Sequence, residues 1–276
     1  MKKSFLILLV TAFVISFSGC SKINDNGNGH LVVNITDAPF PINLVESATV
    51  TITKVEIRKA GDGISDGNPF KVLWEGSETF NLLELRNGVV EELLNLEIPA
   101  GEYNLIRLYV DEAGLKVKDG GSYSVKVPSG QQTGIKIFVD PGLVVEGGLT
   151  AELLLDFDLS NSFVMQGNMD SPAGIKGFNF KPVIRAVNNS TAGRLEGVAT
   201  DKENVNIDQA SIVVKQDGKD DISAITDANG HYAVIGLPSG TYSVVASKDN
   251  YETVTVNDVK VTAGNKTVLN FILPKK

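Results

Sequence analysis

Apolar and polar positions alternate with a period of two along most of this chain. Leu31, Val33 and Ile35 alternate with Val32, Asn34 and Thr36. Leu149, Ala151, Leu153, Leu155 and Phe157 alternate with a mostly polar set that includes Glu152, Asp156 and Asp158. A strand sends successive side chains to opposite faces, so this pattern predicts half-buried strands. Between Val50 and Ile57 the apolar parity switches near Lys54. A bulge there would re-aim the strand, and burial of both faces would produce the same pattern. Turn signals separate the runs at Gly61-Asp62-Gly63, Asp66-Gly67-Asn68-Pro69, Asn87-Gly88, Asp119-Gly120-Gly121, Asp217-Gly218 and Asn229-Gly230. Leu82 to Leu96 is the best helix candidate, but Asn87-Gly88 and Val89-Val90 argue for a hairpin instead. Many short strands with regular turns predict an all-β chain of sandwiches or barrels.

A small, polar stretch, Asn188-Asn189-Ser190-Thr191-Ala192-Gly193, follows the strand-like run Phe178 to Val187. Arg194 to Pro274 then carries its own set of roughly seven strand patterns. The expected organisation is two β-sandwich units, 30–188 and 193–274. The units share a local pattern: Ile98-Pro99-Ala100-Gly101-Glu102-Tyr103 in the first and Leu237-Pro238-Ser239-Gly240-Thr241-Tyr242 in the second. Pro fixes φ, Gly supplies a positive-φ option, and Tyr enters the next strand with a polar tip. Both tyrosines are expected to pack over a sandwich end and tie their hydroxyls to backbone, as a tyrosine corner does.

The N-terminus has a different character. Met1-Lys2-Lys3-Ser4 leads into an apolar run from Phe5 to Ser18, which is short of the roughly 20 residues that span a bilayer. A positive start with a short apolar stretch is the pattern of a secretory signal. Ser18-Gly19-Cys20 resembles the bacterial lipobox, although Phe17 replaces the usual Leu. The resemblance implies a signal peptide over 1–19 and acylation of Cys20 as the new N-terminus. An uncleaved anchor and an ordinary core thiol are the alternatives. Cys20 is the one cysteine, so no intramolecular disulfide can form and stability has to come from core burial. The polar, Gly- and Asn-rich residues 20–29 read as a flexible tether. Lys22 and Asp25 are faintly similar to the surface-export signal of some Bacteroidota-type lipoproteins. The expected location is the cell envelope, lipid-anchored at the outer membrane, with surface display as a hypothesis.

Charge narrows the partners. Removing 1–19 takes away Lys2 and Lys3 and no acid, so the formal charge of −8 becomes −10. An acidic chain without basic runs argues against nucleic acid and against electrostatic docking on anionic lipid.

Two resemblances follow from longer segments. Gly193-Arg194-Leu195-Glu196-Gly197-Val198, Ala210-Ser211-Ile212-Val213-Val214 and Thr226-Asp227-Ala228-Asn229-Gly230-His231-Tyr232 make 193–273 similar to the carboxypeptidase regulatory-like domain. So do the Leu237-to-Tyr242 pattern, Asp249-Asn250-Tyr251 and Ala263-Gly264-Asn265. That resemblance implies a seven-stranded transthyretin-like sandwich of the carbohydrate-binding-like class, without catalytic machinery and with sugar binding as an expectation. The internal Lys–Asn isopeptide bond of some related sandwiches is not expected, because Arg194 stands in the first strand and no Lys does. Thr36-Asp37-Ala38-Pro39, Val50 to Ile57, Leu155-Asp156-Phe157-Asp158 and Phe180-Lys181-Pro182-Val183-Ile184-Arg185 make 30–188 resemble a domain family of bacterial lipoproteins whose activity is unknown.

Chemistry is sparse. His30 and His231 are the two histidines, one per unit, and no His/Cys group has zinc spacing. No phosphate-binding Gly loop appears, and no cofactor is expected. Asp156 and Asp158 lie on one face of a strand, about 7 Å apart by strand rise, as a glycosidase pair could, although a solvated strand face explains them more simply. Asp37 is expected to cap a turn. Asp37, Asp62 and Asp66 are weak calcium candidates, since the order of ligands is not that of an EF-hand. If its strand is regular, Tyr103, Leu105, Arg107, Tyr109 and Asp111 share one face. Tyr103, Arg107 and Tyr109, with the one tryptophan, Trp74, are therefore the candidate ligand contacts. The resulting expectation is a non-enzymatic envelope lipoprotein that binds or adheres, with a glycan as the candidate ligand. The alternative is a structural or assembly component that meets an envelope protein.

Overall fold

The computed structural model describes residues 27–38, 44–61, 70–127, 132–168 and 170–276. Residues 1–19, expected from the sequence to be a signal peptide, lie outside the described residues with Cys20, Lys22 and Asp25, as do Asp62 and Asp66.

The first unit contains β1 (Asn28–Ala38), β2 (Val45–Lys59), β3 (Lys71–Asn81), β4 (Glu91–Pro99), β5 (Gly101–Val117), β6 (Ser122–Lys126), β7 (Ile135–Val145), β8 (Thr150–Asp158), β9 (Phe163–Gly167), β10 (Ile175–Phe180) and β11 (Ile184–Asn188). Nine of them form one sheet in the order β3-β2-β5-β7-β11-β8-β1-β4, with β6 on β5, while β9 and β10 pair as a separate ribbon. β7 and β11 meet through a single parallel register pair, Val139 and Ala186. That seam divides the sheet into halves that enclose one core. Val50, Ile52, Ile106 and Leu108 come to it from one half, and Leu31, Val33, Leu153 and Phe157 from the other, all fully buried. Each such side chain contributes roughly 1.5–3 kcal/mol by leaving water.

The strand begins at Asn28 rather than at residue 30, because Asn28 pairs with Pro99 and accepts from the Gly148 amide. Leu82 to Leu96 is no helix: a single 3-10 turn at Leu82–Glu84 leads to the Asn87-Gly88 turn and then to β4. The parity switch at Lys54 is a bulge. Register slips between Ile52 and Lys54 against both β3 and β5. Val50 and Ile52 before it and Val55 and Ile57 after it therefore all point inward.

The second unit contains β12 (Gly193–Thr200), β13 (Ser211–Lys215), β14 (Ile222–Ile225), β15 (His231–Leu237), β16 (Gly240–Ser247), β17 (Val254–Val261), β18 (Lys266–Val268) and β19 (Phe271–Ile272). Two sheets, β15-β12-β18 with β19 also on β12, and β14-β13-β16-β17, close over Leu195, Ile212, Tyr232, Val244 and Phe271. β18 and β19 run along the same strand, interrupted where the Asn270 side chain takes the Val198 amide at 3.0 Å. Counted as one, they give the seven-stranded sandwich that the sequence implies.

Both tyrosine corners form. Tyr103 donates to the Pro99 carbonyl at 2.7 Å and Tyr242 to the Pro238 carbonyl at 2.6 Å, four residues back in each case. The units are joined tightly. A 3-10 turn at Asn189–Thr191 is pinned to β8 by Asn189 on Glu152 and by Ser190 on the Glu152 amide. Leu154, Val187 and Ala192 then bury themselves with Ile235 of β15 in a small core between the units.

Candidate functional site

The outer face of β2 and β5 carries most of the aromatic and cationic residues singled out in the sequence. Tyr103 is not among the outward set. Register slips between Tyr103 and Leu105 against β7, and between Arg58 and Lys59 of the partner strand β2. Ile106, Leu108 and Val110 take the inward positions beyond the slip. Tyr103 therefore sits in the core at 2% exposure, while Arg107, Tyr109 and Asp111 look outward. Burial raises the pKa of the Tyr103 hydroxyl. Its role is the corner bond, not ligand contact. Trp74 is partly buried and packs against the same core.

Arg107 and Tyr109 are occupied by a buried acid. Glu56 receives Lys54 at 3.0 Å, Arg107 at 3.1 Å and the Tyr109 hydroxyl at 3.0 Å. Burial pushes the Glu56 carboxyl up, but the hydrogen bonds of Lys54 and Tyr109 and the charges of Lys54 and Arg107 outweigh it and hold it below its ordinary range. Glu75 and Glu56 together raise the Lys54 pKa. The Arg107 guanidinium also stacks on Phe70, 3.6 Å from the ring centroid. This is a nearly closed network centred on Glu56, in which the buried Nε of Arg107 is the atom left without a partner.

The carboxylate candidates are equally committed. Asp156 and Asp158 do share the outer face of β8, but Arg185 of β11, directly opposite in register, holds Asp156 at 2.6 Å. Asp158 caps the short helix Leu159–Ser162 through the Asn161 amide at 3.0 Å and also takes Ser160. Neither is a free acid or base for glycoside hydrolysis. Asp37 does not cap a turn through its side chain. Its carboxyl is buried at the end of β1 with no hydrogen-bond partner on either oxygen. Burial and the charges of Asp156 and Asp158 push its pKa well above the usual range, against a smaller pull from the Arg86 charge. Neighbouring Thr36 instead ties the loop by donating to the Leu85 and Val89 carbonyls. Among the described residues no group of three or more His, Cys, Asp or Glu is placed to hold a metal ion. His30 lies 3.6 Å from Glu97 at the surface. His231 is exposed beside Asp227, whose carboxylate receives its backbone amide.

The second unit covers part of the outer face of β7, β11 and β8, and a cleft of about 580 Å³ opens between them. Lys136, Phe138 and Asp140 alternate outward along β7 to make its floor with Val183 and Arg185. Gln216, Asp220 and Ser223 stand on the opposite wall, with Tyr242 and Pro238 of the corner behind them. Two bonds fix the geometry. Arg185 reaches across to the Gly236 carbonyl at 2.8 Å, and Lys219 meets Asp140 at 2.9 Å. Gly236 has φ +66°, and a Cβ there would stand 2.8 Å from the Leu154 side chain, so glycine permits the close approach. The sequence reading missed this cleft. One signal was available: Phe138 is an aromatic residue in the polar parity of Lys136-Ile137-Phe138-Val139-Asp140.

Fold and site define a two-unit, all-β protein whose units are packed against each other. The chain belongs to the family of the domain of unknown function DUF4382, whose family model matches residues 28–182. Residues 194–274 are a carboxypeptidase regulatory-like domain. This pair of domains fits a binding or structural role rather than a catalytic one. No curated protein matches the chain. Solved structures similar to parts of it include a type II cohesin–X-dockerin complex from Acetivibrio cellulolyticus, at 25% identity over 29% of this chain, with a TM-score of 0.24. The chain spans 56% of the length of that relative. The shaft pilin SpaA of Lactobacillus rhamnosus GG aligns over 90% of this chain and 98% of its own at 9% identity, with a TM-score of 0.27. The Bacillus anthracis TIE protein aligns over 91% and 41% at 12% identity, with a TM-score of 0.28.

Proposed function

We propose that this chain is a non-enzymatic binding lipoprotein of the cell envelope. It is held at the outer membrane by acyl chains on Cys20 and uses its two joined units to bind a glycan or to adhere to a glycan-bearing surface. The observation that carries this reading is the cleft between the units, where Phe138 stands exposed and Lys136, Gln216, Asp220 and Ser223 make no side-chain bond among the described residues. The carbohydrate-binding-like class of the second unit supports the choice of ligand. The lipobox resemblance at Ser18-Gly19-Cys20 supports the anchor, since two or more acyl chains hold a protein firmly to a bilayer.

Two experiments test the two halves. Cells grown with a clickable fatty acid should label the wild-type chain and not Cys20→Ala, and the variant should leave the membrane fraction. Label retained on the variant would overturn the anchor. A glycan array probed with soluble residues 21–276 should give specific binding, and silence across the array would overturn the sugar reading.

A further inference from the structure

The inter-unit cleft holds the most exposed large apolar side chain among the described residues, Phe138. Phe138 is 69% exposed, although a ring of that size normally seeks burial. Val183 beside it is also exposed. Lys136, Gln216, Asp220 and Ser223 surround this apolar floor, and none has a side-chain partner among the described residues. They come from both units: Lys136 and Phe138 from β7, Gln216 and Asp220 from the segment between β13 and β14, and Ser223 from β14. Lys136 and Asp220 are exposed, and Gln216 and Ser223 are half-buried, so all four can exchange water for a ligand's hydroxyls.

We infer that this cleft is a composite sugar site, with Phe138 as its stacking platform and a short neutral oligosaccharide as its ligand. This deepens the proposed function and rests on its sugar reading. A pyranose presents a C–H face that lies on an aromatic ring and a rim of hydroxyls that both donate and accept. The open groups match that rim: a donor in Lys136, an acceptor in Asp220, and groups that do both in Gln216 and Ser223. Charge points the same way. Five acids and three bases line the cleft. An anion would meet Asp140, Asp158 and Asp220, and a polycation would meet Lys136, Arg185 and Lys219. The size suits the ligand too, since small-molecule sites run from about 300 to 1,000 Å³. Because the two walls belong to different units, the site depends on their docking, held by Leu154, Val187, Ala192 and Ile235 and by the Arg185–Gly236 and Lys219–Asp140 bonds.

The test uses soluble residues 21–276 and the neutral oligosaccharide that the array binds best, titrated by calorimetry. Phe138→Ala and Gln216→Ala, one on each wall, should each weaken binding about tenfold, some 1.4 kcal/mol. Phe138→Trp should restore it, and Tyr109→Phe on the β2–β5 face should change nothing. Phe138 is exposed, so an unchanged melting temperature accompanies its loss of binding. Wild-type binding that survives both cleft variants, or that falls with Tyr109→Phe alone, overturns the cleft and leaves the sugar reading standing. A wild-type chain that binds only charged glycans overturns the neutral ligand and leaves the sugar reading standing, and one that binds no glycan overturns both.

Discussion

The first unit turns two faces outward that look alike in sequence and behave in opposite ways. On β2 and β5, Lys54, Glu56, Arg107 and Tyr109 close on one another within 3.1 Å, and Phe70 lies over the guanidinium. On β7 and β11, Phe138 and Lys136 face a neighbouring unit across open space. The first face commits Lys54, Arg107 and Tyr109 to a buried acid, with the Arg107 Nε left unbonded under Phe70. The second leaves Lys136 available, while Asp140 and Arg185 make the two bonds that cross to the partner wall. Density of charged and aromatic residues is therefore a poor guide to a site, and unspent hydrogen-bonding capacity is a better one.

The largest effect expected on this comparison comes from the joint between the units. Leu154→Ala removes a fully buried side chain from the small core there and should cost about 3 kcal/mol of that local packing. Limited proteolysis should then cut between residues 188 and 193, and glycan binding should fall with it. A variant that stays protected would mean that the two polar bonds alone hold the cleft. Next is Arg107→Ala, which takes one donor from the buried Glu56 and should cost about 2 kcal/mol in urea unfolding. Glu56 also sets a pH dependence. Its folded carboxyl titrates below the ordinary 4.5, so the stability it contributes is complete above that pH and is lost as the pH falls through the lower folded value. Glu56→Gln should flatten that acid limb. Neither Glu56→Gln nor Arg107→Ala should alter ligand affinity, and a loss there would return the site to the β2–β5 face.

Smaller effects follow from the corners and from Asp37. Tyr103→Phe and Tyr242→Phe each lose one bond to a carbonyl and should each cost about 1 kcal/mol. Tyr242 lines the cleft and Tyr103 does not, so only the second change should touch binding. Asp37 runs opposite to Glu56. Its folded pKa lies above the ordinary 3.8, so its contribution is most favourable below that pH and is lost as the pH rises through the raised value. Asp37→Asn should raise the melting temperature at neutral pH, and a drop would mean that the ionised carboxylate has a partner in solution.

Much of the fold was legible because core burial imposes a period of two, and a break in that period is itself a signal. The break at Lys54 signalled either a bulge or burial of both faces, and the register slip there makes it a bulge. The same signal stands at Leu105-Ile106, two adjacent apolar residues that become buried together. Assuming a regular strand across it placed Tyr103 on the wrong face. The corner bonds were legible for a different reason: a Pro-x-Gly-x-Tyr pattern fixes a turn within a few residues of itself. The cleft was not legible. It joins β7, β11 and the residues around Gln216 and Asp220, and their meeting depends on how two units dock. Asp37 was legible as unusual but not in its role, since its burial is set by strands far away in sequence.

Hydrogen–deuterium exchange of residues 21–276, with and without the neutral oligosaccharide that the array binds best, tests the central claim most directly. The account predicts slowed exchange at 136–140, 183–187 and 214–223, with 54–58 and 103–109 unchanged. Protection confined to 54–58, 70–76 and 103–109 would contradict it.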